Sequence, residues 1–178
     1  HGVHSGDFVF FLGSKYLQEE DELFFFYQRG GHAAAVTARI PESEVIFKGG
    51  QPDPHVWMDL KAWSTAAGQV AEVLGEWDPV HAHEYRLNAQ AVRKAYLEAD
   101  EKVRKMMLPV RKKRIYAESG LAYFARAYGL ALTHEFKDAQ AVFTVDKAVQ
   151  LAVAPGQVMG PRLNVADMGS HHRIVDLV

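Results

Sequence analysis

The alternation of apolar and polar positions is clearest between Val80 and Met107. Tyr85, Ala89, Val92, Tyr96, Ala99, Val103 and Met106 recur at alternating spacings of four and three, which puts them on one face of a helix. At 1.5 Å per residue, roughly 27 residues span about 40 Å, enough for a rigid spine. Pro109 stops it, because the residue before a proline is pushed out of helical geometry. Upstream, Asp59 to about Glu76 predicts another helix, closed by Trp77-Asp78-Pro79. Tyr16 to Tyr27 is acidic early and apolar late, a helix pattern ended by Gly30-Gly31. Leu121 to Tyr128 predicts a compact helix closed by Gly129.

Short apolar runs supply the strands. Asp7 to Leu12, stopped by Gly13, reads as a buried strand; Ala33 to Thr37, Arg114 to Ala117 and Ala141 to Val145 read as further strands. A Pro41 turn and a loop through Gly50 join the second strand to the first long helix. Toward the end, Ala148 to Val153 suits a short helix, Pro155 to Gly169 a loop, and Ser170 to Val178 a partial helix. Strands alternating with helices predict an α/β fold with a largely parallel sheet. No internal repeat interrupts this order.

Composition narrows the class. The 178 residues suffice for one ordinary domain or two small lobes, and 48% hydrophobic with 24% charged residues fits a globular chain. A net charge of −2 gives no basic surplus for nucleic acid. The densest apolar runs, Phe8 to Leu12 and Leu23 to Tyr27, are far too short to cross a membrane. Arg111 to Arg114 is a basic cluster that suits a solvated helix end favoured by the dipole. The chain starts at His1 without a signal-peptide pattern, which predicts a processed, cut or partial product. Zero cysteines exclude disulfides and thiolate metal sites, whereas nine histidines make a nitrogen–oxygen metal site worth seeking.

Two residues stand out as donors. Glu118 follows the strand Arg114 to Ala117 and precedes a helix, the place where α/β sheets bind ligands. The same carboxylate also suits a helix start whose charge complements the dipole. His55 stands between Asp53-Pro54 and Val56-Trp57, a setting that suits a ligand or a simple turn. Histidine plus carboxylate without thiolate matches zinc, manganese or iron(II).

Read together, Asp53-Pro-His-Val-Trp-Met-Asp59, Trp77-Asp-Pro79, Tyr85, Asn88-Ala89 and Tyr123-Phe-Ala-Arg-Ala-Tyr-Gly-Leu130 resemble the metal-specific solute-binding proteins of ABC importers, the cluster A-I family. Asp7 to Gly13, Ala35-Val-Thr37 and Ile40-Pro41 follow the family's order, and the likeness is strong from about Asp7 to Leu130. Ala141-Val-Phe143, Met159-Gly-Pro161, Met168 and His171 continue it more weakly. The resemblance implies two α/β lobes with largely parallel sheets, joined by one long helix. On this reading residues 1–79 are the N-terminal lobe, 80–107 the spine and 108–178 an abbreviated C-terminal lobe. A metal would sit between the lobes, with His55 matching the second ligand and Glu118 the third.

The departures matter as well. The family's first histidine lies in a Gly-Val-Asp-Pro-His segment upstream of the first strand, and here only Gly2-Val3-His4 remains. His4 is then either that ligand after a deletion or no ligand. Gln157-Val-Met-Gly160 occupies the place of the last aspartate, leaving Asp167 as a nearby replacement or an ordinary surface residue. His134, His171 and His172 are spare candidates. The stretch between Leu130 and Ala141 is shorter than the family pattern, which predicts loss of a helix and part of the sheet.

The implied function is binding without catalysis. A divalent transition metal, zinc or manganese, is taken up as cargo and delivered to an ABC permease. The protein would be a monomer, periplasmic or anchored at the cell surface, with no nucleic-acid partner. The metal ligands would be His55, Glu118, His4 and Asp167. One alternative is a shortened relative that keeps the scaffold with lost or weakened metal binding. The other is a hydrolytic metalloenzyme in which His55 and Glu118 leave a water position open. No His-Glu-x-x-His pattern supplies the base for that chemistry.

Overall fold

A computed structural model of the chain describes residues 6–13, 31–117, 120–133, 135–143 and 158–159. Packing divides the chain into two compact units, His1–Pro54 with Lys61–Leu97, and His55–Leu60 with Glu98–Val178.

In the first unit, strand β1 (Phe8–Phe11) pairs in parallel with β2 (His32–Ala35), Phe8 opposite His32 and Phe11 opposite Ala35. The Thr37 hydroxyl continues the pairing by donating to the Leu12 carbonyl at 2.6 Å. Helix α1 (Leu60–Trp77) buries Ala62, Ala66 and Ala71, and the Trp77 ring at its end stacks on Phe8 with centroids 5.0 Å apart. The expected loop before Gly50 instead contains a small antiparallel hairpin, β3 (Phe47–Lys48) with β4 (Gln51–Pro52). Gly49 and Gly50 have φ of +57° and +80°. Two positive φ values are what a two-residue hairpin turn requires, and glycine supplies them without a Cβ clash.

Helix α2 (Ala82–Met107) is one continuous helix of 26 residues. It starts two residues later than the pattern predicts, because Pro79–His81 forms a 3-10 turn. Residues up to Leu97 belong to the first unit and those from Glu98 to the second. The predicted apolar face is only partly buried. Val92 and Met106 are exposed, whereas Ala99, Asp100, Val103 and Met107 are buried. At about 100° per residue, Ala99, Val103, Met107 and Asp100 fall within one stripe roughly 100° wide, and Met106 lies about 20° outside its edge.

The second unit holds a four-stranded parallel sheet in the order β6-β5-β7-β8. Its strands are β5 (Arg114–Ala117), β6 (Ala131–Thr133), β7 (Ala141–Phe143) and β8 (Val158–Met159). Helix α3 (Ala122–Tyr128) connects β5 to β6 and buries Tyr123, Phe124 and Ala125. Gly129, at φ +68°, closes α3. The Leu130 amide reaches back to the Ala125 carbonyl at 2.9 Å and the Gly129 amide to Arg126 at 3.4 Å. This pairing of a 6→1 with a 5→2 bond satisfies carbonyls that a helix end otherwise leaves open.

One strand expectation is corrected: the tail read as loop contains β8. The short stretch after Leu130, which carried no strand reading, forms β6. Both are two or three residues long, below the length at which alternation can be read. The described part of the Ala141 to Val145 run is strand, and the strand predicted from Ala33 to Thr37 gives way to a turn after Ala35. The helices predicted over Tyr16 to Tyr27, Ala148 to Val153 and Ser170 to Val178 lie outside the described residues. No helix among those described is long and apolar enough to cross a membrane.

Candidate metal centre

The approach to His55 is fixed from both sides. Ahead of it, Asp53 is buried, its amide donates to the Ile46 carbonyl at 2.7 Å, and its carboxylate meets Lys48 Nζ at 2.9 Å. Pro54 then restricts the backbone. Behind it, Val56–Met58 form a 3-10 turn that begins at His55, whose carbonyl accepts the Met58 amide at 3.0 Å. Val56 and Met58 are fully buried, so the turn is pinned by its apolar side chains while His55 stays half-buried. The Trp57 ring lies beside the imidazole, centroids 5.3 Å apart and tilted by 59°. The proline thus restricts the histidine's backbone and the aromatic lies against its ring.

That turn packs against α3. An ion pair of 3.9 Å between Asp59 and Arg126 reinforces the contact, and the Arg126 guanidinium lies 5.1 Å over the buried Tyr123 ring. Neither anchor was readable beforehand, since nothing local links Asp59 to Arg126. The motif carrying Arg126 was legible only as a family landmark.

The sheet has a topological reversal in this neighbourhood. From β5 the chain crosses through α3 to β6 on one side, then returns to β7 on the other. The order reverses between β5 and β7, and open α/β sheets bind ligands beyond the carboxyl ends of strands at such a reversal. Glu118 directly follows the last residue of β5, and α3 begins four residues later. The turn that starts at His55 therefore packs on the helix that follows Glu118.

Glu118 itself lies outside the described residues, as do His4, Asp167, Gln157, His134, His171 and His172. The structure brings together the turn that begins at His55 and the helix that follows Glu118, and of the four expected ligands it describes the side chain of His55 alone. Among the described residues, no group of three or more His, Cys, Asp or Glu comes together as a metal site.

The family described as "Zinc-uptake complex component A periplasmic" matches residues 4–150. The chain belongs to this zinc-uptake component family. It is a family of transport components, not a class of enzymes. The match spans His4, His55 and Glu118 and ends before Gln157 and Asp167. The zinc-binding protein TroA of Treponema pallidum is 30% identical over 148 residues, 81% of this chain and 47% of the relative. The metal ABC transporter substrate-binding lipoprotein SloC of Streptococcus mutans is 35% identical over 86 residues, covering 46% and 28%. The chain thus spans less than half the length of these curated relatives. The crystal structure of the AdcAII protein of Streptococcus pneumoniae superposes with a TM-score of 0.64 at 17% identity, over 89% of this chain and 70% of that one. That likeness bears on the fold: α/β, with small parallel sheets and a long helix shared by both units.

Proposed function

We propose that this chain captures a divalent transition metal, zinc or manganese, outside the cytoplasmic membrane and delivers it to an ABC permease. The observation that carries this reading is the packing of the His55 turn on α3, beside the sheet reversal that Glu118 follows. Family membership across His4, His55 and Glu118 supports it. The neutral imidazole of His55 and the Glu118 carboxylate are donors of the kind zinc and manganese take, with bonds near 2.0–2.2 Å to zinc. His4 and Asp167 complete a set of four. The metal is cargo and undergoes no reaction, so the protein acts as a monomeric binding component and not as an enzyme. Affinity falls in acid, because each ligand must shed its proton before it binds. Nitrogen and oxygen donors bind zinc more tightly than manganese in the intrinsic order of affinities.

Calorimetric titration with zinc and with manganese tests the assignment on the 178-residue chain and on His55→Ala, Glu118→Ala and Asp167→Ala. Tight binding in the parent and its loss in all three variants is the expected result. Metal at about a hundredfold excess over Kd stabilises the folded state by roughly 2.7 kcal/mol, which a raised melting temperature reports. Tight binding that survives His55→Ala removes the assignment. Gln157, at the place of the family's aspartate, favours a second reading in which the scaffold persists with weakened metal binding. In that case metal barely moves the melting temperature and Asp167→Ala changes nothing.

A further inference from the structure

Charge is unevenly distributed along this chain. Residues 102–114 carry seven of its 20 Lys and Arg and none of its 22 Asp and Glu. The rest therefore holds 13 cations against 22 acids, a balance of −9 beside a segment of +7. Arg104 is engaged by the Asp100 carboxylate and the Ala127 carbonyl. Lys102, Lys105, Arg111, Lys112, Lys113 and Arg114 form no ion pair among the described residues.

A solvated helix end explains part of this, since the dipole favours cations within the last turn. It does not explain four consecutive cations beyond Pro109. Nor is their turn loosely held. The Lys112 amide donates to the Gly129 carbonyl at 3.1 Å, the Lys113 amide to Val110 at 3.0 Å, and the Ala131 amide to Lys113 at 3.3 Å. Lys112 has φ +64°, the sole positive φ of a non-glycine residue among those described. A glycine would hold that turn with less strain, so the lysine stands there at a backbone cost. Observed strain of this kind is a pointer to function. Among the cations, Met106 and Leu108 are 53% and 58% exposed. Cations interleaved with exposed apolar side chains suit a lipid interface, where charges meet headgroup phosphates and apolar groups enter the acyl boundary.

We propose that this turn, with the last residues of α2 and the first of β5 that flank it, docks the protein on an anionic phospholipid surface. Lys105, Arg111, Lys112, Lys113 and Arg114 pair with headgroup phosphates, and Met106 and Leu108 enter the interface. The turn adjoins the amino end of β5, opposite the end that Glu118 follows, so docking is independent of metal capture.

Flotation of the 178-residue chain with phosphatidylcholine vesicles, with and without a minority of phosphatidylglycerol, tests this. Binding is expected only with phosphatidylglycerol and should weaken as salt screens the charges. Lys112→Gly should lower partitioning about fivefold, one charge's worth, without lowering the melting temperature. The double variant Lys112→Glu, Lys113→Glu should abolish it, and Met106→Ser with Leu108→Ser should weaken it while leaving the salt dependence in place. No binding to phosphatidylglycerol vesicles, equal binding without the anionic lipid, or binding indifferent to either double variant overturns the proposal. Retention on duplex DNA or on polyaspartate with no vesicle binding does so too, and reassigns the turn to another partner.

Discussion

Helix α2 has an aspartate–tyrosine pair near each end, and the two pairs differ in almost everything but chemistry. At its start, half-buried Asp78 accepts the half-buried Tyr85 hydroxyl at 2.8 Å and exposed His81 Nδ1 at 2.7 Å, all close together in the chain. Near its end, buried Asp100 accepts the Tyr128 hydroxyl at 3.0 Å and Arg104 at 3.0 Å, joining α2 to α3. Arg104 also reaches the Ala127 carbonyl and lies 5.5 Å over the Tyr128 ring. Water can replace every partner of Asp78. It cannot easily replace those of Asp100, so bonds of equal length carry unequal consequences.

The largest effect should follow Asp100→Ala, which strands a buried hydroxyl and the guanidinium together. Breaking such a pair costs about 3–5 kcal/mol when both partners are buried, and the half-exposed Arg104 side chain brings this toward 2–3 kcal/mol. Urea unfolding with an unchanged m-value would measure it. Tyr128→Phe keeps the ring packed against Phe124, at 4.7 Å between centroids, and removes only the hydroxyl. A loss of about 1.5 kcal/mol is expected from the same titration, as for one hydrogen bond to a charged acceptor.

Alkali should expose the buried pair in another way. Burial foremost, then the Asp100 charge and hydrogen bond, push the Tyr128 phenol far above its ordinary value of 10.0. Its neutral form is the one the fold favours, so its contribution is complete below pH 10 and is lost as pH rises beyond it. Tyr128 should therefore ionise only as the protein unfolds, which near-ultraviolet phenolate absorbance compared between the parent and Tyr128→Phe would show. Asp100→Asn should leave much of that delay in place, because burial is the larger cause. A Tyr128 that ionises near the ordinary phenol value of 10.0 would break the contrast.

The smallest effect belongs to Asp78. The Tyr85 hydroxyl, and then His81, hold its carboxyl below the ordinary 3.8. That contribution is complete above 3.8 and lost as pH falls through the lowered value. Asp78→Ala should therefore match the parent's melting temperature at neutral pH far more closely than Tyr128→Phe does. Its acid stability curve should approach the parent's only below pH 3.8. A neutral-pH loss as large as that of Asp100→Ala would mean that exposure does not set the difference.

The parts of this molecule legible in the sequence are those with long or chemically marked patterns. The helix from Ala82 to Met107 announced itself by spacing, and the closure of α3 by Gly129. The hairpin at Gly49-Gly50 and strands β6 and β8 did not, because two or three residues cannot display a period of two. Burial was legible only in part. The pattern marked Val92 and Met106 as core, yet the surroundings bury Asp100 and Met107, a choice made by packing and not by the helix's own residues. At the candidate site, His55 and its rigid flanks were readable from Asp53-Pro54 and Trp57. The contact between its turn and α3 was not, since it joins segments distant in sequence through Val56, Met58 and the Asp59–Arg126 pair.

The two units of this chain are interleaved and not strung in series. Residues 55–60 pack with the later unit while the chain on both sides of them packs with the earlier one, and α2 passes from one to the other without a break. No single cut frees either unit as a contiguous piece. A protease nick inside α2 would sever a helix, and a gene fragment carrying only the later half would lack the segment that begins at His55. Such an arrangement resists modular exchange: neither half can be inherited, recombined or swapped as a cassette without taking part of the other along.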